Sequence, residues 1–180
     1  MAAPEIQPQA PLPWPPGEEA LGARLSQLAG ERVVVLHDLR MPAGQRSIDH
    51  LAVTPRGVFV IDAKYYSGGV DKRNVGSIFR PDLRLYVGDR ECTTLLHGVE
   101  DQAEVVRDVL RLAGFVDVPV RGVLCFIGAQ WGHFGSPFKI GDVLVTYPRF
   151  LYRLLARDVE IATSAIQDAG RVLTTVLSSA

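Results

Sequence analysis

The chain has 180 residues, of which 47% are hydrophobic and 22% are charged, as is typical of one globular domain with an apolar core. Its 19 basic and 20 acidic residues give a net charge of -1, which excludes binding of nucleic acid through bulk positive charge but allows a local basic groove. No apolar run is long enough for a transmembrane helix, and two cysteines do not make a disulfide scaffold.

The start of the chain is rich in proline. Six of the 12 prolines fall within the first 17 residues, so residues 1–16 are predicted to be a disordered leader and residues 17–180 one folded domain. The leader lacks the basic start and the apolar segment of a signal peptide. We therefore expect a cytoplasmic protein that does not associate with membranes.

Apolar periodicity predicts the secondary structure of the folded part. Apolar residues that recur every three or four positions predict helices over 18–28, 99–113 and 148–154, and a last helix that begins at 158. Alternating or continuous apolar runs predict strands over 32–37, 48–54, 58–64, 83–87, 90–95, 122–127 and 143–147. Strands near the middle, with helices before, between and after them, predict an α/β domain with a mixed β-sheet.

The two strands over 48–64 are predicted to bring a pair of carboxylates together. If their turn is a two-residue loop, Thr54 pairs with Gly57 and Asp49 lies opposite Asp62. A three-residue loop would place the two acids diagonally. Lys64 follows Asp62 by two residues, so both side chains point to the same face of the sheet.

Neighbouring carboxylates repel each other, and one takes up a proton unless a cation lies between them. Mg²⁺, or Mn²⁺ in its place, accepts two acids, a backbone carbonyl and water as ligands, and it can activate that water towards a phosphate. Lys64 would then orient the water or stabilise the transition state. The alternative is a buried ion pair of Asp62 with Lys64, with Asp49 hydrogen-bonded to a turn, because an Asp-x-Lys triplet occurs often by chance.

Three segments closely resemble the nuclease-related domain (NERD) family of the PD-(D/E)xK nuclease superfamily, namely Ser47–Val53, Gly57–Lys64 and Tyr66–Gly68. Further matches follow in order at Gly17–Glu18, Val35–Asp38, Gln102, Val123–Phe126, Trp131 and Phe134–Gly135. The likeness covers residues 17–155. It departs at Ser47, where the family usually has Asn, and at Asp62, where the superfamily often has the longer Glu.

The resemblance implies a restriction-endonuclease-like fold, in which α-helices flank a mixed β-sheet. It also implies a metal-dependent nuclease that hydrolyses the phosphodiester bonds of nucleic acid, with DNA favoured over RNA. The metal ligands would be Asp49, Asp62 and the Ala63 carbonyl. The residues that match the catalytic set are Glu18, Asp49, Asp62, Lys64 and Gln102. Many nucleases of this superfamily act as dimers, so a homodimer is compatible with the resemblance.

Two members of this set have structural alternatives. Glu18 suits the first turn of a helix, where acids favour the helix dipole, but it shares a stripe with Leu21 and Leu25 and is predicted to point inward. Gln102 is equally compatible with a hydrogen bond to a backbone carbonyl. His50 is predicted to pack on the opposite face of its strand from Asp49, and Trp131 to anchor a loop rather than stack on bases.

Six basic and three acidic residues lie between Lys64 and Arg90, a local charge of +3. The candidate phosphate contacts in this stretch are Lys72, Arg73, Arg80, Arg84 and Arg90. An ordinary solvated hairpin is the alternative. The second functional class is a catalytically inactive nuclease-fold module that binds nucleic acid or a protein partner.

Overall fold

The computed structural model describes residues 16–41, 47–132, 135–157 and 163–178. The predicted leader lies outside these residues except for its last position, as do Phe134 and the predicted start of the last helix at 158. None of the helices in the described part of the chain is both long enough and apolar enough to span a membrane.

Four helices and nine strands make up the described chain. The helices are α1 (Pro16–Ser26), α2 (Thr93–Leu112), α3 (Pro148–Leu155) and α4 (Thr163–Ser178). The strands are β1 (Val34–Arg40), β2 (Ser47–Thr54), β3 (Gly57–Tyr65), β4 (Val70–Asn74), β5 (Leu83–Val87), β6 (Arg90–Glu91), β7 (Val120–Ile127), β8 (Phe138–Ile140) and β9 (Val143–Thr146).

The main sheet has six strands in the order β1-β2-β3-β7-β9-β8. Its first three strands are antiparallel, β3, β7 and β9 run parallel, and β8 is antiparallel to β9. Strands β4, β5 and β6 form a separate antiparallel sheet within the crossover from β3 to β7. This mixed sheet flanked by helices confirms the predicted α/β class and is consistent with a restriction-endonuclease-like fold.

Helices cover both faces of the main sheet. On one face, Leu21 and Leu25 of α1 and Leu151 of α3 pack against alternate residues of the central strands, such as Phe59 and Ile61. On the other face, apolar residues of α2 and α4 pack against the intervening strand residues. Because β3 is apolar on both sides, it fits the centre of a covered sheet, as its sequence predicts.

The structure differs from the predicted elements around β6. The strand predicted over 90–95 ends at Glu91, and α2 already begins at Thr93, because Leu96 and Val99 pack together on the buried side of that helix. Strands β4 and β8 were not predicted. All residues of β4 after Val70 are exposed and polar, so no apolar alternation marks it, and β8 has only three residues.

Candidate active site

The turn between β2 and β3 sets the geometry of the site. Thr54 pairs with Gly57, which confirms the two-residue loop, and the Thr54 hydroxyl accepts a hydrogen bond from the Arg56 N–H at 3.1 Å. Gly57 has a φ of 110°, and a Cβ atom there would lie 2.2 Å from the Pro119 carbonyl oxygen. Only glycine fits this close approach, so the register of the hairpin is fixed at its turn.

Following that register along the hairpin, the last pair of the ladder is His50 with Ile61, and Asp49 and Asp62 come next. Beyond this pair the Asp49 side chain replaces the backbone as hydrogen-bond partner, since its Oδ2 accepts from the Ala63 N–H at 3.0 Å. Asp49 is therefore bound to the neighbouring strand rather than to a turn.

Three oxygens of β2 and β3 surround the ammonium group of Lys64. Lys64 Nζ lies 2.8 Å from Asp62 Oδ1 and 3.8 Å from Asp49 Oδ2. It also donates a hydrogen bond to the Ala63 carbonyl at 3.2 Å. The two acids, the carbonyl and the lysine that the resemblance selects thus meet at one point. We call this group, Asp49, Asp62, Ala63 and Lys64, the acid–lysine cluster.

Burial and the neighbouring opposite charge shift the pKa values of Asp62 and Lys64 in opposite directions. Burial raises the pKa of Asp62 to about 6, with a further increase from Asp49, while the Lys64 charge opposes the shift. Burial lowers the pKa of Lys64, but the carboxylates of Asp62 and Asp49 outweigh it and raise the pKa overall. Lys64 is therefore held as a protonated ammonium group.

Glu18 faces the same cluster from the first turn of α1. Burial raises its pKa, and the negative charge of Asp49 adds to the increase, while Lys64 opposes it. Leu21 and Leu25, on the same stripe of the helix, are fully buried, as the inward orientation requires. The helix comes close because Gly17 has no side chain. Three carboxyl groups therefore interact with one ammonium group.

Gln102 occupies a different position. Its Nε2 donates a hydrogen bond to the Ser47 carbonyl at 3.0 Å, while its Oε1 is buried without a partner among the described residues. No hydrogen bond within the described part of the chain joins Gln102 to the acid–lysine cluster. Of the two roles considered for Gln102, the structure shows the hydrogen bond to a backbone carbonyl. Gln102 thereby holds the start of β2, two residues before Asp49.

His50 packs on the other side of its strand, as predicted. The ring is buried, and its Nδ1 lies 2.8 Å from Nδ1 of His37 on β1. Burial, together with the nearby His37 ring, lowers the pKa of His50 to about 4 despite the opposing charge of Asp49. His50 is thus a neutral core histidine beneath α1.

The predicted basic surface lies on β4, β5 and β6, except for Arg80, which lies in the connection between β4 and β5. Two of its arginines are engaged in ion pairs. Arg73 Nε lies 3.4 Å from Asp71 Oδ2, and Arg84 lies 2.8 Å from Asp82 and 3.1 Å from Glu91. These pairs are exposed, and they offset part of the local positive charge.

Trp131 packs against the rings of Phe138 and Tyr147, which is the contact pattern of a loop anchor.

Sequence reasoning missed a backbone feature beside the site. Asp38 on β1 has a φ of 52°, the one positive φ at a non-glycine residue in the described ranges. Asp38 lies opposite Asp49, and these two residues do not pair although the residues on either side of them do. The signal was present in the sequence, because Leu36 and Leu39 are three residues apart, whereas a regular strand repeats every two.

A mixed sheet flanked by helices, with acids and a lysine meeting at the end of its central hairpin, defines an α/β domain that is consistent with a restriction-endonuclease-like fold. The family model of the nuclease-related domain matches residues 15–127, more than half of the chain. The chain therefore belongs to the nuclease-related domain family. Comparisons with curated proteins and with solved structures gave no match.

Proposed function

We propose that this protein is a metal-dependent nuclease that hydrolyses phosphodiester bonds in nucleic acid, preferentially DNA, at the acid–lysine cluster. One observation carries the proposal. The oxygens of Asp49, Asp62 and Ala63 all lie within 3.8 Å of the Lys64 ammonium nitrogen. Membership of the nuclease-related domain family supports the same activity.

The donor set fits Mg²⁺ or Mn²⁺. The described residues contain no group of three or more His, Cys, Asp and Glu arranged to hold a metal. The set proposed here is two carboxylates and a backbone carbonyl, hard oxygen ligands of the kind that Mg²⁺ takes together with water. Glu18, Asp49 and Asp62 outnumber the single ammonium group, so the site favours an additional cation. When bound, a divalent cation would supply electrostatic stabilisation of the charge that develops on the phosphate.

The chain's own residues have separate tasks in this proposal. Lys64 keeps its proton and contributes a positive charge and N–H donors to a phosphate oxygen, which is the role of a preorganised electrostatic group. Asp49 is oriented by the Ala63 N–H. Gln102 is a positioning residue, because it fixes the β2 backbone that carries Asp49.

Cleavage of labelled duplex DNA and of RNA, with Mg²⁺, with Mn²⁺ and with EDTA, tests the proposal. Asp62→Asn and Lys64→Met should each lower the cleavage rate by about 100-fold or more, as loss of one preorganised charge does in other enzymes. The matched controls are Asp108→Asn on α2, where the side chain is partly exposed, and Lys139→Met on β8, where the residue is exposed; neither residue belongs to the cluster, and both variants should cleave like wild type.

Circular dichroism verifies that each variant is folded. Equal cleavage by wild type and both cluster variants, or no metal-dependent cleavage by wild type, would contradict the proposal. Retained binding without products would indicate the inactive binding module instead.

A further inference from the structure

An open groove of about 580 Å³ lies between α1 and α3, at the end of β7. Arg24 projects into it from α1, and Arg149 and Arg153 from α3. Tyr152 forms part of its wall, with the Arg24 guanidinium 5.2 Å from the centre of its ring. We call this feature the arginine groove.

The groove is strongly positive. None of the described residues that line it is acidic. No ion pair formed within the described part of the chain includes Arg24, Arg149 or Arg153, in contrast to Arg73 and Arg84 on the smaller sheet. The amino-terminal end of α3, where the helix dipole places partial positive charge, also lines the groove.

The groove and the acid–lysine cluster lie near the same end of the central strands β3 and β7. Gly17, which lines the groove, immediately precedes Glu18. Ile127, on the floor, pairs with Tyr65, the residue after Lys64. A Cβ atom on Gly17 would lie 2.6 Å from Ile127 Cγ2, so glycine at this position allows α1 to rest directly on the strand ends.

We propose that the arginine groove binds the phosphate backbone of the nucleic-acid strand beside the bond that is cut. This rests on the proposed function, since the cluster defines where that bond lies. Guanidinium groups bind phosphate oxygens through paired N–H donors, and the groove offers three such groups with no carboxylate among its described lining residues. From Gly17 to Arg24 the helix rises by about 10 Å, which corresponds to about three base steps of a duplex.

Fluorescence anisotropy of the full chain with a labelled DNA duplex, in EDTA so that no cleavage occurs, tests this surface. The triple variant Arg24→Gln, Arg149→Gln and Arg153→Gln should bind at least about 30-fold more weakly. The slope of log Kd against log salt should fall by about 2 to 3, because each phosphate contact contributes about one unit.

Two controls accompany this variant. Arg111→Gln removes an exposed arginine of α2 that is paired with Asp108, and its affinity should change less than about two-fold. The double variant Arg73→Gln and Arg84→Gln removes two of the five basic residues of the competing surface on the smaller sheet. If that double variant loses binding while the groove variant does not, the proposal is overturned. Displacement of the duplex by polyglutamate as effectively as by unlabelled DNA would also overturn it.

The test of the arginine groove and the test of the proposed nuclease activity can fail independently of each other. Groove-dependent binding by a protein that never cleaves would support the groove and refute the nuclease. Metal-dependent cleavage with an unchanged KM in the groove variant would refute the groove and leave the nuclease intact.

Discussion

Acidification should destabilise this protein through His50, and replacing His50 with glutamine should remove that effect. The ring is only 1% exposed, and a Cβ atom on Gly22 of α1 would lie 3.2 Å from it. In the unfolded chain His50 takes up a proton near its ordinary pKa of 6.5, whereas burial and the neighbouring His37 ring hold the folded pKa at about 4.

The direction of the pH effect on stability follows from the unfolded and folded pKa values of His50. Between pH 6.5 and pH 4 the unfolded chain binds a proton that the folded protein excludes, so stability falls as the pH falls. At pH 7.5 the protonation of His50 has a negligible effect on the free energy of unfolding. At pH 4.5 the proton binding of the unfolded chain lowers the free energy of unfolding by about 2.5 kcal/mol.

Urea denaturation of wild type and His50→Gln at pH 7.5 and pH 4.5 measures this difference. The free energy of unfolding of wild type should fall by about 2.5 kcal/mol more than that of the variant. Asp62, whose pKa is raised, acts with the opposite sign, but it is present in both proteins and cancels in the comparison. An identical pH dependence in the two proteins would refute a neutral, buried His50.

Three further substitutions test the fold around the site by urea denaturation. Gly57→Ala should cost about 2–4 kcal/mol, because its Cβ would strike the Pro119 carbonyl in a strained backbone. Gln102→Ala should cost about 2 kcal/mol, since it removes the hydrogen bond to Ser47 and leaves a cavity. Phe79→Ser should change stability by less than about 0.5 kcal/mol, because that side chain is 94% exposed.

Gly30→Ala is the control for Gly57, as a Cβ atom on Gly30 would meet no atom of the described residues within 4 Å. A cost for Gly57→Ala no larger than for Gly30→Ala would show that the turn geometry is wrong. A loss below about 0.5 kcal/mol for Gln102→Ala would contradict its role in holding β2. A large loss for Phe79→Ser would mean that this side chain is covered in solution.

The central hairpin could be predicted from sequence, with its register narrowed to two possibilities, because local chemistry determines the turn. The Thr-Pro-Arg-Gly segment marks the turn, and apolar residues on both faces of residues 58–61 mark a buried strand, while the structure fixes the pairing of Thr54 with Gly57. Either register brings the two acids close together, so they and the lysine can be located without knowing the rest of the fold. The inward position of Glu18 followed in the same way from helical spacing.

Features that depend on distant contacts could not be predicted. The ion pair of Arg84 with Glu91 depends on the pairing of β5 with β6. The partner of Gln102 is 55 residues away along the chain. The arginine groove joins residues of α1 and α3, which only the folded sheet brings together.

Anomalous diffraction from a crystal soaked in Mn²⁺ tests the acid–lysine cluster most directly. The proposed function predicts a peak bound by the carboxylates of Asp49 and Asp62 and by the Ala63 carbonyl. That peak should be absent from a crystal of Asp62→Asn soaked in the same way. Manganese bound only at other positions in wild type, or no peak at saturating Mn²⁺, would contradict a metal-dependent nuclease centred on these residues.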